Sequence, residues 1–225
     1  MSPKTRLSLI LASASLVLDA SAATMIDISD LNGTLPPPDD RSFAVGTSKQ
    51  QVEVMGWSQS VAYSDVRISA FLGDTRAGST VTAYLTSAIG PSAGAPIATS
   101  TVSIAQTSGL PSGTELFAGL TLAPGSYFLT LYNFDQSSAT DPVWYRGASV
   151  SFGPGITPNG EFYANNHGDG IIDSGNPWRS TFKTSSLYDS AFVVTGTVVP
   201  EPSTVALMGF GVVGLLTWVR RRDTR

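Results

Sequence analysis

Apolar and polar residues alternate with a period of two through much of the chain, and that spacing commits it to extended strands with one buried face. Val66, Ile68, Ala70 and Leu72 fall on one side, with Arg67, Ser69 and Phe71 on the other. Val81, Ala83 and Leu85 alternate with Thr80, Thr82, Tyr84 and Thr86. Tyr127, Leu129 and Leu131 alternate with Phe128, Thr130 and Tyr132, and Phe192 and Val194 with Ala191, Val193 and Thr195. Gly73-Asp74, Gly90-Pro91, Ser108-Gly109-Leu110-Pro111, Ala123-Pro124-Gly125 and Gly153-Pro154-Gly155 punctuate these runs as turns. Half-buried strands separated by such turns predict an all-β, antiparallel β-sandwich. Within 24–199 no amphipathic helix longer than two turns is expected. Pro36-Pro37-Pro38-Asp39-Asp40 reads as a surface loop before a strand at Ser42–Gly46.

The chain has no cysteine and one histidine, His167. A sandwich of this composition must hold together by its core alone. Thiol nucleophiles, thiolate zinc sites and iron–sulfur clusters are excluded outright. Residues 24–199 carry fourteen acidic side chains against seven basic ones. Such a domain repels nucleic acid and anionic surfaces, so no nucleic-acid partner is expected.

The two ends read differently from the middle. Lys4 and Arg6 precede an apolar run from Leu7 to Leu18 and the small residues Ala20-Ser21-Ala22-Ala23. That is the layout of a signal peptide over 1–23, with cleavage after Ala22 or Ala23 both compatible with the pattern. At the other end, Pro200-Glu201-Pro202 is followed by an uncharged run from Ser203 to Val219 and by Arg220-Arg221-Arg222. As a helix the run would span about 25 Å, close to the hydrocarbon thickness of a bilayer. Trp218 then sits at an interface, and the arginines stay on the cytoplasmic side. Prolines at 200 and 202 cannot extend a helix upstream, leaving an extended, accessible triplet.

This tripartite order, over 200–225, resembles the PEP-CTERM sorting signal of Gram-negative bacteria. The resemblance implies that an exosortase recognises Pro200, Glu201 and Pro202 and removes the tail. The protein would be held in the membrane by the tail and then reach the cell surface or extracellular matrix. A looser resemblance runs from Gly56-Trp57 to Leu122-Ala123-Pro124-Gly125-Ser126-Tyr127-Phe128-Leu129. It looks like the sandwich domains of surface-anchored bacterial proteins, whose Leu-x-x-Gly-Thr-Tyr-Tyr-Leu strand it approximates. That implies a jelly-roll-like accessory domain over 24–199 and brings no catalytic residues with it.

Four patterns within the chain invite a chemical reading. Gly209-x-Gly211-x-x-Gly214 spells a dinucleotide fingerprint, but it lies inside the apolar tail rather than between a strand and a helix. Gly90-Pro91-Ser92-Ala93-Gly94 spells a hydrolase nucleophile elbow, yet a strand-like run follows where a helix is needed. Asn165, Asp169 and Asp173 fall at the first, fifth and ninth places of a calcium loop, with Gly170 at its sharp turn. His167 at the third place and Asn176 at the twelfth leave that loop without its bidentate carboxylate. Glu161 paired with Asp169 or Asp173 would suit glycoside hydrolysis if a cleft held them about 5–10 Å apart.

Trp144, Tyr145 and Trp178 lie in Pro- and Gly-flanked segments, which makes them candidates for an exposed platform that stacks sugar rings. Trp57, beside Val52 and Val54, reads as core. The reading favoured by these residues is an exported, non-catalytic surface or matrix protein. It needs no cofactor, has an exosortase as processing partner and extracellular polysaccharide as a candidate ligand. A secreted hydrolase acting on matrix glycans and an ice- or surface-binding protein are the competitors.

Overall fold

The computed structural model describes residues 22–31, 42–44, 51–73, 79–105, 110–133, 142–165, 168–185 and 188–200. The expected signal peptide up to residue 21, the Pro36–Asp40 loop, His167 and the tail from residue 201 onward lie outside the described residues. Two antiparallel sheets face each other. The first contains β1 (Ala23–Asp27), β2 (Ser42–Ala44), β4 (Tyr63–Gly73), β7 (Gly113–Leu122), β9 (Val143–Tyr145), β10 (Ser151–Phe152) and β13 (Phe192–Val198). Its order is β10-β1-β13-β4-β9-β2, with β7 also paired to β4. The second contains β3 (Gln51–Gln59), β5 (Thr80–Thr86), β6 (Ala98–Ser103), β8 (Gly125–Tyr132), β11 (Ile156–Asn165) and β12 (Lys183–Thr184), ordered β12-β11-β3-β8-β5-β6. Among the described residues, no helix is long and apolar enough to cross a membrane.

The period-two strands behave as their spacing predicts. Val66, Ile68, Ala70, Leu72, Val81, Ala83, Leu85, Leu129, Leu131, Phe192 and Val194 are all buried in one core between the sheets. Trp57 anchors that core, stacked on Tyr127 at 5.8 Å and tilted against Phe192 at 6.1 Å. Val52 and Val54, of opposite parity, face away from it. They form a second cluster with Tyr132 on the outer face of the second sheet, where Phe162, Ile172 and Phe182 pack over them. A strand apolar on both faces requires cover on both, and the chain around 171–182 supplies the outer layer.

Several sequential strands belong to different sheets. β3 passes to β4, β7 to β8 and β10 to β11 by arches of two or three residues that step from one sheet to the other. All three arches lie at one end of the sandwich. Gln59 ties them together from a buried position: its amide nitrogen reaches the carbonyls of Val61 (3.1 Å), Leu122 (3.1 Å) and Ala123 (3.0 Å). Ser60 N–H donates to Gly155 O at 2.9 Å, and Tyr127 OH donates to Ala123 O at 2.7 Å. The two N–H groups of this one amide, shared among three carbonyls, bind the backbone of two arches to the end of β3.

Candidate functional site

Two places in the molecule carry more than packing. The first is where β13 ends. Val198 pairs with Tyr63, and Val199 N–H donates to Ala62 O at 2.9 Å, so the strand remains hydrogen-bonded to the last residue before the triplet. Pro200 is exposed and has no N–H with which to extend the ladder. β1 enters at the same end, since Ala23 pairs with Gly196.

Residues 198–222 match the family model of the PEP-CTERM protein-sorting motif. The chain carries a PEP-CTERM sorting signal. The motif marks an exported protein that an exosortase recognises, and the matched residues contain Pro200, Glu201, Pro202, Arg220, Arg221 and Arg222. No curated protein matches the sequence. The motif begins inside the fold, because Val198 is the last residue of β13.

The second place is a group of buried acids at the opposite end of β3. Glu53 shares the inward face of β3 with Met55 and Trp57, and both Glu53 and Glu161 are fully buried. The Gln51 amide donates to Glu53 Oε1, whereas Oε2 is without a partner among the described residues. Glu161 is better served: its Oε2 accepts the backbone N–H of Asp189 at 3.0 Å, and its Oε1 accepts the Ser190 hydroxyl at 3.3 Å. Arg146 Nε stands 3.3 Å from Asp189 Oδ1. Burial pushes the Glu53 carboxyl well above the usual range, and the neighbouring Glu161 adds to the rise. Burial also raises Glu161 and Asp189, with the Arg146 cation opposing it in both. Among the described residues one cation, Arg146, faces these three carboxyls, so burial and the second acid favour the protonated form of Glu53.

The sequence reading missed Glu53. It placed Trp57 with Val52 and Val54, although parity sets Trp57 with Glu53 and Gln51. An acid on the tryptophan's parity was the available signal. Nor does Glu161 face Asp169 or Asp173. It points between the sheets toward Asp189 and Ser190, away from the catalytic pairing that its sequence neighbours suggested.

The aromatic platform is corrected by the structure. Trp144 is fully buried, with its indole N–H donated to Ala191 O at 2.8 Å and its ring edge-on to Phe192. Trp178 sits in a 3-10 turn (Pro177–Arg179), 7% exposed, tilted on Tyr84 at 4.7 Å and bonded to Gly94 O at 2.9 Å. Trp144 is the middle residue of β9, paired with Leu72 of β4, and Trp178 lies in its 3-10 turn, so neither presents a free ring face to a sugar. Tyr145 alone of the three is half-buried. The loop 87–97 with its Gly90–Gly94 pattern receives Trp178, and its chain continues into β6 instead of a helix, so the nucleophile-elbow geometry is absent.

Within the calcium-loop pattern, Asn165 and Asp169 bond to each other, side chain to side chain at 3.3 Å. Asp173 Oδ1 instead accepts the N–H groups of Gly175 (3.0 Å) and Asn176 (2.9 Å), closing its own turn. Among the described residues no three acidic or histidine side chains converge as a metal site.

Proposed function

We infer that this exported exosortase substrate is a non-catalytic protein of the cell surface or extracellular matrix. It is held by its apolar tail until processing. The observation that carries the reading is the junction at Val199: a folded sandwich runs without a linker into the sorting triplet, as suits a domain that is delivered whole. The buried state of Glu53 and Glu161 supports the non-catalytic half, since acids sealed between two sheets do not meet a polysaccharide. Cleavage of a signal peptide after Ala22 leaves β1 entire, whereas cleavage after Ala23 would remove its first residue. A polysaccharide-binding role among aromatics rests on Tyr145, the one candidate with surface exposure. Thr82, Thr86 and Thr130 of the second sheet are buried and give ice binding no surface, which leaves Thr99 and Thr101 of the edge strand β6 as its exposed threonines.

Changing Pro200, Glu201 and Pro202 together to alanine tests the sorting claim. Export continues, since insertion of the tail does not need the triplet, but the protein stays in the membrane fraction at full length. Normal release of this triple variant would refute the reading.

A further inference from the structure

The end of the sandwich that holds the β13 terminus differs chemically from the rest of this acidic chain. Its three arches, residues 60–62, 123–124 and 153–155, contain no charged side chain, nor does the 87–97 connection, although Arg179 Nε donates to Ala93 O of that connection at 2.8 Å. Ser60, Ala123 and Pro124 are exposed there, as are Val198 and Val199 at 42% and 38%. The first charge along β4 from this end is Asp65. Connections leaving the other strand ends carry Asp74, Arg76, Asp135 and Asp141 in sequence. The surface is also firmly built, through Gln59, the Ser60–Gly155 bond and the bond from Tyr63 OH to Pro154 O at 3.4 Å.

Reach makes this end consequential. Only Pro200, Glu201 and Pro202 separate the sheet from the apolar run that starts at Ser203. Three extended residues span about 10 Å at most, and one headgroup layer of a bilayer is roughly 5–7 Å deep. With the run in the bilayer, whatever grips Glu201 lies against the arches. A free carboxylate or ammonium trapped in that contact would be desolvated without a partner, which explains why the arches are uncharged.

We propose that the surface formed by the uncharged arches at 60–62, 123–124 and 153–155 is a docking surface for the exosortase that recognises the adjoining triplet. The short tether obliges it to fit against that enzyme during cleavage. This rests on the sorting reading above. An enzyme surface is favoured over lipid because the three arches hold no basic residue with which to attract anionic headgroups, and the nearby Arg179 is engaged by Ala93 O on the 87–97 connection.

The test compares full-length chains in the exporting cell, following release by fractionation. Ser60→Glu with Ala123→Glu, and Ser60→Lys with Ala123→Lys, place two charges of either sign on exposed positions. Each variant's folding is checked by its thermal melt. Both double variants accumulate uncleaved in the membrane, with release slowed about tenfold. Ten Gly/Ser residues inserted between Val199 and Pro200 restore release, because the end no longer has to fit. Normal release of both double variants, or failure of the insertion to restore it, overturns the proposal. Slowing by glutamate but not by lysine also overturns it, assigning the surface to anionic lipid. The triple alanine variant separates the two claims: if it is retained while the charged variants are released normally, sorting stands and docking alone falls.

Discussion

Gln59 and Glu53 lie on the same inward face of one strand, six residues and about 20 Å apart, yet burial treats them in opposite ways. Gln59 is neutral and meets three converging carbonyls where the arches cross between sheets. Its amide oxygen has no partner among the described residues, so the donor half does the bonding. Glu53 meets one amide donor and a second acid, and keeps an unpartnered oxygen. A buried polar side chain is inexpensive where turn backbone offers complementary groups, and costly where sheet backbone is already paired within its ladder.

The largest effect that would break this contrast is at the arch end. Gln59→Leu keeps the volume but leaves the carbonyls of Val61, Leu122 and Ala123 without that donor. It is expected to cost about 3 kcal/mol, read as a lower urea midpoint of the purified 24–199 domain with an unchanged slope. A loss below about 1 kcal/mol would show that water satisfies the arches and that Gln59 does not tie them.

A smaller, opposite effect is expected at the other end of β3. Glu53, Glu161 and Asp189 have raised carboxyls in the folded state, so the fold binds their protons more tightly than the unfolded chain does. Their contribution to stability is complete below the ordinary carboxylate range and is lost as pH rises through the raised values. The melting temperature should therefore fall as pH rises from about 4.5. Glu53→Gln, which mimics the protonated acid, should gain about 1 kcal/mol at pH 8 and almost nothing at pH 4.5. A variant with the same pH slope as the wild type would mean that Glu53 is not the group that titrates.

The smallest effect sharpens the contrast by lying outside both ends. Arg67 and Glu115 form an ion pair at 2.8 Å on the exposed side of the first sheet, with side chains 60% and 52% exposed. Arg67→Ala is expected to shift stability by less than about 0.5 kcal/mol and to lose even that in high salt. A change above about 1 kcal/mol would show that β4 and β7 need this pair for their register.

Most strands were legible because alternation is a local property. The inward residues of β4, β5, β8 and β13 sit where their parity put them. β3 was harder to read, since valine at 52 and 54 and tryptophan at 57 make both faces apolar. The tryptophans at 144 and 178 misled for a related reason. Proline and glycine flank both, but Trp144 falls inside the short strand β9 and Trp178 in a turn folded under a neighbouring loop. Only their bonds to Ala191 O and Gly94 O, distant in sequence, reveal that cover.

The sequence by itself determined that the middle of this chain is antiparallel strand and that its far end is a PEP-CTERM sorting signal, because both are written in short-range order: a period of two, and a triplet before an apolar run and a basic cluster. Tertiary structure alone decided which strands share a sheet, that three arches gather at the end carrying the signal, and that Glu53 and Glu161 are buried beside the partly exposed Asp189–Arg146 pair. Those outcomes depend on which face each strand finds covered. Cover comes from residues tens of positions away, which no local pattern records.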